Sequence, residues 1–315
     1  MCRAWRDEWK AKVFQDLIAE RRFEMYNLYT MRPKKIFAHS TSLVKADQDG
    51  GFWSVRFAST VVTHTYRDGH TNDAYFVEGD DMVNEIAVSD KYLFLALIMS
   101  ENVVRVRQDG TDSRVLMDNT VVTAMAALSD DEIVIEEKGH ITLYNVGGDT
   151  TYPLANSILG SNLTSSHAGV AWICPSEDAS TTIQWVTYDN LVPSKLKFNS
   201  PSVLDIAIDV IDPLVASISN DEPASIGLFV ERTKKKTKKV ILNYSSSDIR
   251  LWARYNDLVL LSTTRYLVVL NSKREVATFI ALPVCFWMAH SYNFHACFTA
   301  TGKIVVACEL GIFVY

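Results

Sequence analysis

The amino-acid sequence predicts an all-β chain, a seven-bladed β-propeller preceded by a short helical segment, and three observations predict it. Beyond Lys34 the texture is one of short β-branched and aromatic runs separated by polar turns, the pattern of a chain rich in hairpins. A unit of about 40 residues recurs through that stretch. An orphan strand precedes the first unit, and the last unit lacks one.

The helical segment comes first in the chain. Trp5, Trp9, Val13 and Leu17 recur every four residues, Phe14 and Ile18 widen the stripe, and Arg, Lys and Glu fill the opposite face. Pro33 ends the pattern. The expected division is a helical segment over 1–33 and a propeller over 34–315.

The repeat is visible in two alignments. Ser59 to Gly69 matches Ser100 to Gly110, and Ala124 to Tyr144 matches Ala296 to Tyr315; both read as strand, turn and strand. This template divides the chain into units of roughly 42–79, 83–119, 121–156, 158–199, 201–246, 247–283 and 284–315. Four strands in about 40 residues make a propeller blade, a small sheet that hides its apolar faces only by stacking on its neighbours. The strand from Lys34 to His39 is expected to complete the last unit, which stops after its third strand at Tyr315. Such closure removes exposed sheet edges.

Composition narrows the function classes. The chain has 315 residues, 48% of them hydrophobic and 22% charged, with a net charge of -6 and a pI near 5.7. That balance opposes nucleic-acid binding, which relies on excess positive charge. The five cysteines (2, 174, 285, 297 and 308) show no C-x-x-C spacing and mostly lie in apolar runs, so they read as reduced thiols of an intracellular protein, cytoplasmic or nuclear. The start of the chain is too charged for a secretory signal. The longest apolar run, Phe279 to Ala289, spans eleven residues with Pro283 inside it. A membrane span as a helix needs about 20.

Third strands ending in Leu143-Tyr144-Asn145, in Val186-Thr187-Tyr188-Asp189 and in Val269-Leu270-Asn271 resemble worn forms of the Trp-Asp ending of WD repeats. The resemblance covers residues 34–315, although no Trp-Asp dipeptide survives. It implies a rigid disc that binds other proteins. At the start, Cys2-Arg3-Ala4-Trp5-Arg6 and Trp9 are similar to the closing helix of an F-box, over residues 2–18. That resemblance implies docking onto the adaptor of a cullin-RING ubiquitin ligase, and it expects the earlier helices of the module upstream of Met1.

No local enzyme motif is present: no G-x-G-x-x-G, Walker loop, G-x-S-x-G elbow or H-E-x-x-H, and no zinc spacing. No catalytic residue, metal ligand or cofactor is assigned. The expected role is an interaction scaffold or adaptor in a multisubunit complex. Its partner-binding residues are expected in turns on one propeller face, at Glu101, His140, Asp178, Asp221 and Arg265, with Trp5, Trp9, Val13 and Leu17 as a second, helical contact. A basic loop of Arg232, Lys234, Lys235, Lys236, Lys238 and Lys239 reads as a solvated, edge-protecting hairpin between the third and fourth strands of the fifth unit. One alternative is an F-box-type substrate receptor. The other is a propeller hydrolase or lyase whose site is dispersed around the channel.

Overall fold

The computed structural model describes residues 34–37, 41–56, 61–77, 79, 81–156, 163–166, 169–175, 181–187, 189–198, 203–208, 214–219, 225–230, 240–241, 250–255, 258–262, 266–270, 276–281, 295–308 and 311–315. Their strands pair only as antiparallel neighbours, in four-stranded sheets. The first sheet holds β2 (Thr41–Ala46), β3 (Phe52–Arg56), β4 (Val61–Thr65) and β5 (Thr71–Phe76). The second holds β6 (Val83–Val88), β7 (Tyr92–Leu97), β8 (Val103–Arg107) and β9 (Ser113–Met117). The third holds β10 (Val122–Ala127), β11 (Glu132–Glu137), β12 (His140–Asn145) and β13 (Thr150–Asn156). The fourth holds β14 (Thr164–Ser166), β15 (Gly169–Pro175), β16 (Thr181–Thr187) and β17 (Asn190–Phe198). The fifth holds β18 (Val203–Ile208), β19 (Leu214–Ser219), β20 (Ser225–Val230) and β21 (Val240–Ile241). The sixth holds β22 (Arg250–Tyr255), β23 (Leu258–Ser262), β24 (Tyr266–Leu270) and β25 (Val276–Ala281). The seventh joins β26 (His295–Phe298), β27 (Ile304–Cys308) and β28 (Gly311–Val314) to β1 (Lys34–Phe37), with Lys34 opposite Val314.

The innermost strands β2, β6, β10, β14, β18, β22 and β26 contact one another in that order, and β26 returns to β2. The fold is an all-β propeller. Alternation along each strand builds the joints between sheets. On β7, Leu93 and Leu95 pack with Trp53, Val55 and Val62 of the first sheet, while Phe94 and Ala96 pack with Met125, Ile133 and Ile135 of the third. On β27, Ile304 and Val306 meet Leu267 and Val269, while Val305 and Ala307 meet Val44 and Phe52. Both faces of such a strand are buried, so its sequence is a continuous apolar run.

The outermost strands differ. β9 and β13 are mostly exposed, and Pro153 and Pro193 lie on the outermost strands β13 and β17, where a missing N–H breaks no inner ladder. The tryptophans and cysteines of the inner strands are packing residues: Trp53 and Trp172 are fully enclosed, and Cys174 and Cys308 are buried and in no disulfide. Burial pushes the Cys297 thiol up to about 12. Among the described residues, no helix is long and apolar enough to cross a membrane.

Candidate functional site

The meander order of each sheet sorts its connections onto two faces. One face, the entry face, holds the starts of the innermost strands, the links between sheets, and the turns between second and third strands. The other, the seam face, holds the turns between first and second and between third and fourth strands.

On the entry face, three connections of neighbouring sheets are tied together. The loop from Ile98 to Asn102 joins β7 to β8 and is closed by Leu97 N–H donating to the Asn102 carbonyl at 2.8 Å. Ile98 N–H donates to the Met82 carbonyl at 2.9 Å, and Thr120 N–H to the Glu101 carbonyl at 2.6 Å. The organising group is Asp81, which is buried. Its Oδ1 accepts from Met99 N–H at 2.8 Å and Met82 N–H at 2.9 Å, and its Oδ2 from Ser100 N–H at 3.2 Å. Burial alone would raise the Asp81 carboxyl, but the hydrogen bonds from the Ser100 side chain and from the three N–H groups outweigh it, and its pKa is lowered.

This frame turns apolar side chains outward. Met99 is 69% exposed, Ile98 45% and Val121 43%. Glu101 and Asn119 adopt left-handed backbone at φ 53° and 55°, and the carboxylates of Glu101 and Asp118 project into solvent. Among the described residues, neither carboxylate has an ion-pair partner.

Towards the channel, the pairing register slips at the same place in several innermost strands: between Thr41 and Leu43, Val83 and Glu85, Val122 and Ala124, Val203 and Asp205, and Leu251 and Ala253. Bulges of this kind bend a strand and re-aim its side chain at a rim. Asn84 and Thr123 stand exposed at two of them, and Asn84 Nδ2 donates to the Val122 carbonyl at 2.9 Å, bridging adjacent sheets.

Glu101 therefore lies in this assembly, in the β7–β8 loop. His140 is the first residue of β12 rather than part of the preceding turn. Lys138 and Gly139, at φ 49° and 81°, form a two-residue hairpin loop with both central residues left-handed, which suits the twist of the flanking strands. His140 Nδ1 sits 3.0 Å from Asn156 Oδ1, and Lys138 pairs with Glu137 at 3.2 Å. Asp178, Asp221 and Arg265 fall between β15 and β16, β19 and β20, and β23 and β24 in chain order, and lie outside the described residues. Trp5, Trp9, Val13 and Leu17 lie outside them too, as do Arg232, Lys234, Lys235, Lys236, Lys238 and Lys239 between β20 and β21. Sequence reasoning missed Asp81, Ile98, Met99, Val121, Asn84 and Thr123. The acidic stretch ending at Asp81 marks a connection, but only three-dimensional contact shows that this carboxylate turns inward.

The seam face is built otherwise. Its turns carry many carboxylates, and most are engaged. Asp47 Oδ2 meets His64 Nε2 at 2.6 Å and its Oδ1 accepts from Gly51 N–H at 2.7 Å; both side chains are buried. The His64 ring stacks on Trp53 with centroids 4.2 Å apart and planes 9° apart. Asp130 accepts from the Ser89 hydroxyl and from Lys91 N–H, each at 2.9 Å, across the joint between sheets. Gln48 bonds Asp90 across the preceding joint. Arg105 pairs with Asp131 at 3.7 Å and lies over the Tyr92 ring. The Tyr144 hydroxyl donates to Asp149 at 2.6 Å, and burial together with that acceptor pushes its pKa up to about 12.

Solved structures confirm the architecture. Virginiamycin B lyase from Staphylococcus aureus, in a catalytically inactive form with quinupristin, superposes with a TM-score of 0.65 at 12% identity, over 90% of this chain and 97% of that one. A streptogramin B lyase structure gives 0.64 at 12% identity over 90% and 96%. Hydrazine synthase of Kuenenia stuttgartiensis gives 0.62 at 9% identity over 90% and 97%. At these identities the likeness is one of fold, and chemistry has to be argued from residues. No family profile matches the sequence, and no curated protein matches it.

Proposed function

We propose that this chain is a protein-interaction scaffold that holds a partner protein on the entry face of its propeller. The observation that supports the reading is the outward pair Ile98 and Met99 on a loop pre-organised by buried Asp81, with outward Val121 on the neighbouring connection that Thr120 ties to it. A hydrogen-bonded frame leaves the loop backbone little freedom to lose on binding, so more of the side-chain burial against a partner is retained as affinity. Met adds adaptability, because its unbranched thioether fits irregular surfaces. The unit that binds is residues 34–315, seven WD-type blades, and the remaining 1–33 supply a second contact.

The test is capture of tagged full-length protein from its own cells, comparing the native chain with Met99→Asp. A partner recovered with the native chain and lost from a Met99→Asp variant of unchanged melting temperature supports the reading. A partner recovered equally with both places binding elsewhere. The narrower reading, a substrate receptor of a cullin-RING ligase, rests on the sequence pattern of Cys2 to Trp9. It requires a cullin and its adaptor to be recovered with the full chain and lost from a chain beginning at Arg32.

A further inference from the structure

Resting on the entry face as an interaction surface, we infer that its occupant is a cationic protein segment carrying an apolar anchor, seated on Met99 with its positive charges on Glu101 and Asp118. The argument is one of charge left over beside the outward set of Ile98, Met99 and Val121, since exposed Asp49, Asp68 and Asp112 on the seam face also lack an ion-pair partner among the described residues. On the seam face Asp47 is engaged by His64, Asp131 by Arg105, Asp109 by Arg107 at 3.2 Å, and Asp130 by Lys91 at 3.7 Å. On the entry face Glu101 and Asp118 flank the apolar set without such partners among the described residues, and the cation nearest in sequence to His140, Lys138, is taken by Glu137.

The backbone adds direction. The Thr120 N–H bond to the Glu101 carbonyl holds the two loops together, so Asp118, Val121, Met99 and Glu101 belong to one unit of surface rather than to independent loops. Exposed Asn84 and Thr123 continue the surface towards the channel with neutral hydrogen-bonding groups. A Lys or Arg side chain suits such a surface, because its stem lies on Met99 and Val121 while its head reaches a carboxylate. Phosphates of nucleic acid or anionic lipid meet like charge here and are disfavoured.

The probe is a short synthetic peptide with two leucines flanked by arginine and lysine, titrated into the full-length protein by calorimetry and followed at the Met99 methyl by NMR. A glutamate-flanked peptide and anionic vesicles serve as competitors. The expected result is binding of the cationic peptide with a shift of the Met99 methyl. Each of Glu101→Lys and Asp118→Lys should weaken it about two- to fivefold. Met99→Asp should weaken it roughly tenfold, and Asp68→Lys on the seam face should leave it unchanged. Binding that ignores Glu101→Lys and Asp118→Lys, or equal binding of the glutamate-flanked peptide or vesicles, overturns the cationic occupant. Scaffold function through Met99 then still stands or falls on the capture comparison. No binding of the cationic peptide to a folded chain also overturns the inference.

Discussion

The two faces of this propeller use the same residue types for opposite ends. On the seam face, carboxylates in successive turns accept hydrogen bonds across the joints, as Asp130 does from Ser89 and Lys91, or close on a buried ring nitrogen, as Asp47 does on His64. On the entry face, one carboxylate, Asp81, is consumed in holding a loop, while Glu101 and Asp118 face solvent beside Ile98, Met99 and Val121. Both faces tie sheet to sheet, but the entry face also leaves Glu101 and Asp118 in solvent beside its outward apolar set, and the proposed binding surface rests on that contrast.

The largest effect is expected at the seam. His64→Ala leaves the Asp47 carboxylate buried without its partner and removes the ring stacked on Trp53, which should cost about 3 kcal/mol in denaturant unfolding. An unfolding midpoint equal to that of the native chain would show that the pair is ornamental and erase the difference between the faces. Gly51→Ala is next. A Cβ there would stand 2.4 Å from the Thr65 carbonyl oxygen and 2.6 Å from Asp47 Oδ2, so backbone must move, at about 2 kcal/mol.

Asp81→Asn sharpens the comparison on the entry side. An amide keeps one acceptor but loses the charge, so a loss of about 1 kcal/mol is expected, with faster hydrogen exchange at the Met99 and Ser100 amides. The pH dependence has a definite sign. Because the folded pKa of Asp81 is lowered, its contribution is complete above the ordinary carboxylate value of 3.8 and fades as pH falls through the folded value. The native chain and Asp81→Asn should therefore converge in stability on acidification below that value, and a gap that stays constant to low pH would assign the effect to shape alone. Smallest of all, Met99→Ser should alter stability by less than about 0.5 kcal/mol, since the side chain is solvated. Clear destabilisation by that change would reveal Met99 as a packing residue and remove it from the candidate surface.

Much of the architecture was legible because strand alternation and turn residues are local. The runs around Leu93 to Ala96 and Ile304 to Cys308 are continuous apolar stretches of the kind a doubly buried strand needs, and the matched segments ending at Gly69 and Gly110 both close with a turn in which the glycine N–H donates three residues back, to Tyr66 and Arg107. The candidate surface was legible only in part. Glu101 was reachable as a turn residue between second and third strands. Asp81 was not, since its partners Met99 and Ser100 lie a full hairpin away, nor was His64, whose partner Asp47 sits in the turn between β2 and β3. The exposed apolar set was hidden by composition, because Ile98, Met99 and Val121 look like core residues until their surroundings are known.

By itself the sequence determined an all-β chain of repeated hairpin units, with each strand's two faces destined for two neighbours, because a period of two along a strand is a property of the backbone. Tertiary structure alone decided which carboxylates are engaged and which are left over. That distinction depends on distances between residues brought together only when the first strands of successive sheets meet around the axis.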